Sequence, residues 1–485
     1  MKLAVISATS AAVLLSSVSV FSNADSSEIP AGLPSTNSLT LKLKNYYQDH
    51  QNKNFDQKFY TEIDGLKRKI KNQGKQKAWG QGFELNFESG YFGNETAAIG
   101  FDFSLYGGLK LIGKDDRSGT SLLKEDEAKF NKEKSQFEAD QSSYGKIGLA
   151  HIKAFAGDAD YNVLARAGIV EINKPLLTGE SKLTPTTFQG ATADAKLGDV
   201  DVYAAWTNKV SVHNGDKMEE FTSNKPGKDG RHKESTKIDS IYTAGGSYLH
   251  ESGVGAGLDY AASKDYLKIY HANLNYTFPI DEDTALFLEG DFYKAQENGD
   301  AWSSIDGSGF DKDAKMYVLN ATLTHDMFTA GLSFSKVEAQ KESGLGIFDY
   351  NLATDSGRDF NDIGYATKRQ VSDFNYNGEK VLQASLGYNF EKIGAPGLNA
   401  SYTYTKGSDI KASNTDGKYK ESEHNLAVSY AFQQKELEGL NVSLQYAQHE
   451  GDKELSKMNN QDKKDFAYDK TTDLRFIVDY TISVF

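Results

Sequence analysis

The side chains with chemistry to offer in this chain of 485 residues are isolated charges set into alternating stretches. Arg166 and Arg475 each stand as a lone cation at a polar position of such a stretch, and Asp102, Asp201, Asp259, Glu289, Asp291 and Asp479 occupy equivalent places. Nothing here is arranged for catalysis. His151, His271 and His449 are scattered and sit in no local Ser/His or Asp/His motif, and cysteine is absent, so neither a disulfide nor a thiolate metal site exists. The acidic stretch 306–313 (DGSGFDKD) lacks the spaced ligands and distal Glu of a calcium loop. We expect no cofactor and no metal. A chain of net charge −14 without a phosphate-binding glycine loop gives no reason to expect nucleic acid. The chemistry left is that of a polar wall along which a solute moves.

Such a wall has to be built by elements that put polar groups on one face only. Ile99, Phe101, Phe103 and Leu105 alternate with Gly100, Asp102, Ser104 and Tyr106, and Leu258 and Tyr260 alternate with Gly257, Asp259 and Ala261. A strand crossing lipid must satisfy every backbone N–H and C=O through its neighbours, so the sheet closes and side chains point alternately to hydrocarbon and lumen. Charges on the lipid face near the midplane would cost about 2–4 kcal/mol for Arg or Lys. Parity therefore turns Lys42, Lys44, Glu84, Asn86, Glu88, Asp102, Arg166, Asp194, Lys196, Asp201, Asp259, Glu289, Asp291, Arg475 and Asp479 inward. The set leans acidic, which favours cations or neutral solutes. Tyr106, Tyr203 and Tyr293 share the inward parity, which would set their ring faces along the same wall.

Composition agrees with strands and not helices as the spanning elements. A quarter of the residues are charged, and beyond residue 24 no run of about 18 apolar residues occurs. Tyr and Phe number 27 each, as aromatic girdles require. All seven prolines fall outside the expected strands. Residues 1–24 carry Lys2, an apolar stretch from Leu3 to Phe21 and Ser22-Asn23-Ala24, the pattern of a secretory signal peptide. Export and a barrel together place the protein in a bacterial outer membrane.

The expected fold is all-β, an 18-stranded antiparallel transmembrane β-barrel filling residues 25–485, with short periplasmic turns and long extracellular loops. Strands are expected at 38–47, 81–91, 97–109, 143–154, 161–171, 190–197, 200–208, 238–248, 253–263, 267–278, 284–294, 314–324, 328–339, 378–390, 398–407, 424–432, 440–449 and 472–485. Connections alternate short and long, with 264–266 as the exception. The mixed-charge run 113–142 reads as a solvated outer loop. The last strand ends on the aromatic Phe485, as signals for the barrel-assembly machinery do, although Phe485 falls in the inward register. Partners are then outer-membrane lipid and lipopolysaccharide, that machinery, and the solute.

Segment 172–189 (INKPLLTGESKLTPTTFQ) differs from the other long loops. It is weakly charged and carries Leu176, Leu177, Leu183 and Phe188, which suit a loop folded back against the inner wall. There Thr178, Ser181, Thr184, Thr186 and Thr187 are expected to offer hydroxyls to solute.

These residues also resemble a family. Segment 166–191 (RAGIVEINKPLLTGESKLTPTTFQGA) is similar to the fifth strand, constricting third loop and sixth strand of the OprD family of outer-membrane porins, and 78–92 and 99–111 resemble its second and third strands. Within the family, 205–211, 235–248, 394–407 and 372–381 (SDFNYNGEKV) are similar to the chitoporin branch. The resemblance implies a passive, substrate-preferring channel for an oligosaccharide solute, the chitooligosaccharides. An OprD-type porin for basic amino acids, peptides or other small solutes is the alternative.

Overall fold

The computed structural model describes residues 36–52, 75–94, 96–112, 120–124, 141–223, 237–299, 302, 309–342, 344–350, 352–355, 360–361, 363–413, 415–455 and 470–485, together with the backbone of short strands at 59–63, 66–70, 124–125, 129–131 and 136–138. The expected signal peptide, most of the 113–142 loop and residues 306–308 of the acidic stretch lie outside them.

Eighteen long strands form the wall: β1 (Ser38–Asn52), β2 (Lys75–Glu88), β3 (Ala97–Ile112), β4 (Tyr144–Gly157), β5 (Tyr161–Val170), β6 (Thr187–Leu197), β7 (Val200–Ser211), β8 (Ile241–Leu249), β9 (Val254–Ser263), β10 (Leu267–Pro279), β11 (Thr284–Glu297), β12 (Asp313–His325), β13 (Phe328–Ala339), β14 (Lys380–Asn389), β15 (Leu398–Ile410), β16 (Tyr419–Ala431), β17 (Leu440–Gly451) and β18 (Lys470–Ser483). Each pairs antiparallel with the next, and β1 closes on β18 from Thr40 opposite Ser483 to Asn52 opposite Thr471. No edge is left, so every ladder group finds a partner, as lipid demands.

Alternation works as the physics requires. On β3, Ile99, Phe101, Phe103 and Leu105 are exposed to the outside while Asp102, Ser104 and Tyr106 are buried within. Several strands run beyond the expected limits, β1 to Asn52 and β2 from Lys75, because their outer ends rise into water, where polar residues on both faces carry no penalty. Pro279 ends β10 instead of lying outside it; a terminal residue need not donate to the ladder. Phe485 lies beyond the end of β18 and is 63% exposed, its carbonyl accepting the Leu39 N–H at 3.0 Å. Parity therefore does not govern it.

The largest apolar core lies among the loops. Val170, Ile172, Leu176, Leu177 and Phe188 pack with Val210, Phe221, Ile238, Trp302, Phe310, Phe348, Phe360 and Ile363. Phe221 and Phe360 stack with ring centroids 5.2 Å apart. Four long connections thus condense on one another at the outer end of the barrel, and this core holds the constriction in place.

Candidate functional site: a constriction built by two inward loops

The connection between β5 and β6 crosses the lumen. Leu183 reaches the inner face of β2, so close that a Cβ on Gly82 would stand 2.3 Å from the Leu183 carbonyl oxygen and one on Gly80 2.5 Å from its side chain. Only glycine admits the loop there. Leu183 then packs with Tyr46, Ala78, Leu122 and Leu123. Leu176, Leu177, Leu183 and Phe188 are all fully buried.

The threonines do something other than expected. Thr184 donates to the His213 carbonyl at 2.8 Å and meets the Tyr144 hydroxyl at 3.2 Å. Thr186 donates to the Glu180 carbonyl at 2.8 Å and accepts the His213 N–H at 3.0 Å. Thr178 donates to Asn173 at 3.0 Å, and Thr187 is fully buried. A loop crossing the lumen has no ladder for its backbone, and the hydroxyls of Thr184 and Thr186 pair with backbone groups instead. They do not face a solute. Ser181 alone of the five is exposed, bridged to Pro185.

What the crossing loop presents is Glu180. Lys182 lies 3.6 Å away and His213 Nε2 3.6 Å. Burial opposes ionisation of Glu180, but Lys182, His213, Lys368 and Arg475 outweigh it and hold the carboxyl at about 2. Burial pushes His213 down to about 4 despite Glu180, so at neutral pH it is an uncharged ring donating from Nε2 to the Ser121 carbonyl at 2.7 Å.

A second loop, between β13 and β14, enters from the other side. Its anchors are not expected from the sequence. Asn361 accepts the Thr178 N–H at 3.1 Å, which joins the two loops across the opening. Glu423 on β16 accepts the N–H groups of Val371 at 3.1 Å and Ser372 at 2.9 Å, and Ser372 donates to Glu421 at 2.8 Å. On β18, Arg475 donates to the Gln370 carbonyl at 3.1 Å while Gln370 donates to the Asp473 carbonyl at 3.0 Å. Burial of Arg369 pushes its guanidinium down to about 10. The expected motif 372–381 is thus the segment that fastens this loop and leads into β14.

The remaining expected residues fall into separate groups. Arg475 forks onto Asp473, with Nη2 at 3.1 Å. Arg166 stands 3.7 Å from Asp194, which also pairs with Lys174. Asp102 is buried between Lys153 at 2.6 Å and His151 at 3.1 Å. Asp479 pairs with Lys44 at 3.3 Å, and Asp201 lies half-buried on β7 opposite Lys196. Asp259, Glu289 and Asp291 form a buried chain with His271 and Asn273: Asp259 lies 2.8 Å from one ring nitrogen of His271 and Asp291 3.1 Å from the other, while Asn273 donates to Glu289 at 3.2 Å. They are covered, not solvated.

Two expectations are corrected here. The three tyrosines form no open track, because Tyr106 is buried with its hydroxyl on Glu171 at 2.8 Å and Tyr293 is buried against His271 with centroids 4.3 Å apart. Tyr203 donates to Asp259 at 2.7 Å and its ring carries Lys174 Nζ at 4.9 Å. The inner wall also carries more charges of both signs than the parity list, among them the carboxylates of Glu171, Glu180, Glu421, Glu423 and Asp473. A one-residue bulge between Ile147 and Ala150 reverses parity along β4 and turns both Lys146 and Lys153 inward, and the loops add Lys174, Lys182 and Lys368. The partners differ in exposure from pair to pair: Lys42 is 54% exposed against 10% for Glu84 and Arg475 22% against 2% for Asp473, whereas Lys44 is 29% exposed against 42% for Asp479.

Comparison with known proteins fits this geometry. The sequence model of the outer membrane porins of the OprD family matches residues 33–484. Porin D of Pseudomonas aeruginosa is 27% identical over 469 residues, covering 93% of this chain and 92% of that protein. Chitoporin of Escherichia coli is 25% identical over 390 residues, covering 76% and 78%. Among solved structures, Acinetobacter baumannii OccAB2 superposes with a TM-score of 0.72 at 22% identity, covering 93% of this chain and 99% of that one. Pseudomonas aeruginosa OpdQ does so with a TM-score of 0.68 at 22% identity and the same coverage.

Proposed function

Because this chain belongs to the OprD family of outer-membrane porins and forms a closed barrel in the bacterial outer membrane for small-solute uptake, we propose that its preferred solutes carry a carboxylate, with amino acids and short peptides the best fit. The observation behind this reading is the constriction itself, where the ionised carboxyl of Glu180 faces Lys182, Lys368 and Arg475, the last two paired as well with Asp373 and Asp473. A zwitterion fits such a place: its carboxylate is drawn to the positive charge of Lys182, Lys368 and Arg475, and its ammonium meets Glu180. Arg166 and the Lys174 and Asp194 pair extend the same alternation of charge along the wall. Several weak sites in series let a solute enter and leave, which transport needs.

Uptake of chitooligosaccharides is the second reading, favoured by the likeness to Chitoporin of Escherichia coli. It has to do without the ring faces of Tyr106 and Tyr293, which are buried. Single-channel recording in a planar bilayer separates the two. Alanyl-alanine and glutamate are expected to give resolved blocking events that chitohexaose does not; longer blocks by chitohexaose than by either would replace the first reading with the second.

A further inference from the structure

On the lipid-facing side of the β1 and β2 ladder, opposed residues climb from the periplasmic end as Leu39 and Phe87, Leu41 and Leu85, Leu43 and Phe83, Asn45 and Gln81, Tyr47 and Trp79, Asp49 and Lys77, and Gln51 and Lys75. Each rung rises about 5 Å at ordinary strand tilt, so the amide rung lies about 15 Å above the first in an apolar band about 25 Å tall. It therefore sits in the outer-leaflet half, one rung below the aromatic pair. Polar side chains at such depth are costly on a lipid face and call for an explanation.

They are held in place. Asn45 donates to Gln81 at 3.0 Å and accepts from the Trp79 ring nitrogen at 2.8 Å. Around them the wall is concave: Leu43, Asn45, Gln81, Phe83, Leu109, Leu440, Val478 and Tyr480 line a groove of about 550 Å³. Above the groove the surface turns cationic. Lys75 and Lys77 are exposed on the outer face, Lys77 lying 3.2 Å from Asp49 and 5.4 Å from the Tyr47 ring centroid. In sequence, residues 67–77 hold Lys67, Arg68, Lys69, Lys71, Lys75 and Lys77 with no acidic residue, in a chain of net charge −14.

We propose that this strip of β1 and β2 is a docking site for one molecule of phosphorylated glycolipid of the outer leaflet, the lipid A portion of lipopolysaccharide. One acyl chain lies in the groove, its carbonyl or hydroxyl oxygen meets the amides of Asn45 and Gln81, and the phosphate above is met by Lys75 and Lys77. Charge chooses this occupant. A neutral lipid has no use for the cations, and a second copy of an acidic chain offers them no comparable density of negative charge.

Native mass spectrometry of the full, detergent-solubilised barrel tests the proposal, with bisphosphorylated lipid A, dephosphorylated lipid A and phosphatidylglycerol as the probes. The parent protein is expected to bind bisphosphorylated lipid A roughly tenfold or more above the other two. Lys75→Glu with Lys77→Glu is expected to erase that preference, and Asn45→Leu with Gln81→Leu to weaken both forms of lipid A about threefold, a modest hydrogen-bond loss. Lys294→Glu with Lys315→Glu, an opposed pair on the far wall, should leave binding unchanged. Heat-modifiable mobility on gels checks that each variant is a folded barrel. Equal binding of all three lipids, an unchanged preference in the double lysine variant, or a groove occupied by a second copy of the chain, seen as an Asn45-dependent dimer, would overturn it.

Discussion

Arg475 does two jobs with one guanidinium. It forks onto Asp473 and fixes the Gln370 carbonyl, and it presents its remaining surface toward Glu180 and the passage. Replacing it with Ala leaves Asp473 buried beside Gln48 and His50 without its strongest partner, a local cost of about 3 kcal/mol, while the barrel ladder is untouched. The channel is then expected to shift toward cations, read as a change of reversal potential in a potassium chloride gradient, and to lose block by glutamate. Arg475→Lys keeps the charge but not the fork, so it should preserve the reversal potential and still release the loop more often. A reversal potential unmoved in Arg475→Ala rejects the selective role. Sequence parity pointed to Arg475 and Arg166 because a lone cation in an alternating strand has only one tolerable direction. It could not find Lys146 and Lys153, since one inserted residue in β4 reverses the count and nothing in the local sequence announces the bulge.

The two crossing loops are the elements that make a wide barrel selective, and they differ in how legible they were. Segment 172–189 stood out because its leucines had no business in water. The loop between β13 and β14 contributes as much, but its anchors are backbone N–H groups and a carboxylate on a distant strand, Glu423, and such pairings leave no local trace. The threonines misled for a related reason: a hydroxyl that can serve a solute serves an unpaired backbone equally well. The first loop should also respond to acid in a defined window. Docked, His213 stays neutral down to about 4, whereas in an opened loop it titrates near its ordinary value of about 6.5. The open form therefore binds the extra proton, and docking weakens as pH falls through that interval, by up to about 3 kcal/mol at its lower end. Glu180, held at about 2, adds a further loss only below its own ordinary value of about 4.5. The groups facing His213 are Glu180, Lys182 and Lys146. Current noise is expected to grow between pH 6.5 and 4 in the parent channel, and His213→Gln should flatten that rise while sparing the one below it. The same profile in both proteins rejects the assignment.

At the scale of the whole molecule, two structures with different physics share one chain. The wall is held by closed ladders and lipid, and its alternation made it readable from sequence alone, strand by strand. The plug of loops is held as a water-soluble protein is, by a buried apolar core, and its members come from four segments too far apart in sequence to show a common period. These two parts should therefore fail separately. The three tryptophans allow it to be seen: Trp79 and Trp206 lie on the outer face, whereas Trp302 is buried among Tyr266 and Phe310, with its ring nitrogen donating to the Phe310 carbonyl at 2.9 Å. With Trp79 and Trp206 replaced by Phe, the emission of Trp302 alone reports the loop core. In a urea titration of the barrel in detergent, that emission is expected to shift to the red well before the β-sheet circular dichroism is lost, because denaturant in the water around the loops weakens their buried core while the ladders stay sheltered in detergent. Conductance should rise over the first transition as the crossing loops release the lumen, and vanish only with the second. Coincident loss of emission, dichroism and conductance would mean that loops and wall are one cooperative unit, and the constriction would then owe its stability to the ladder and not to the core above it.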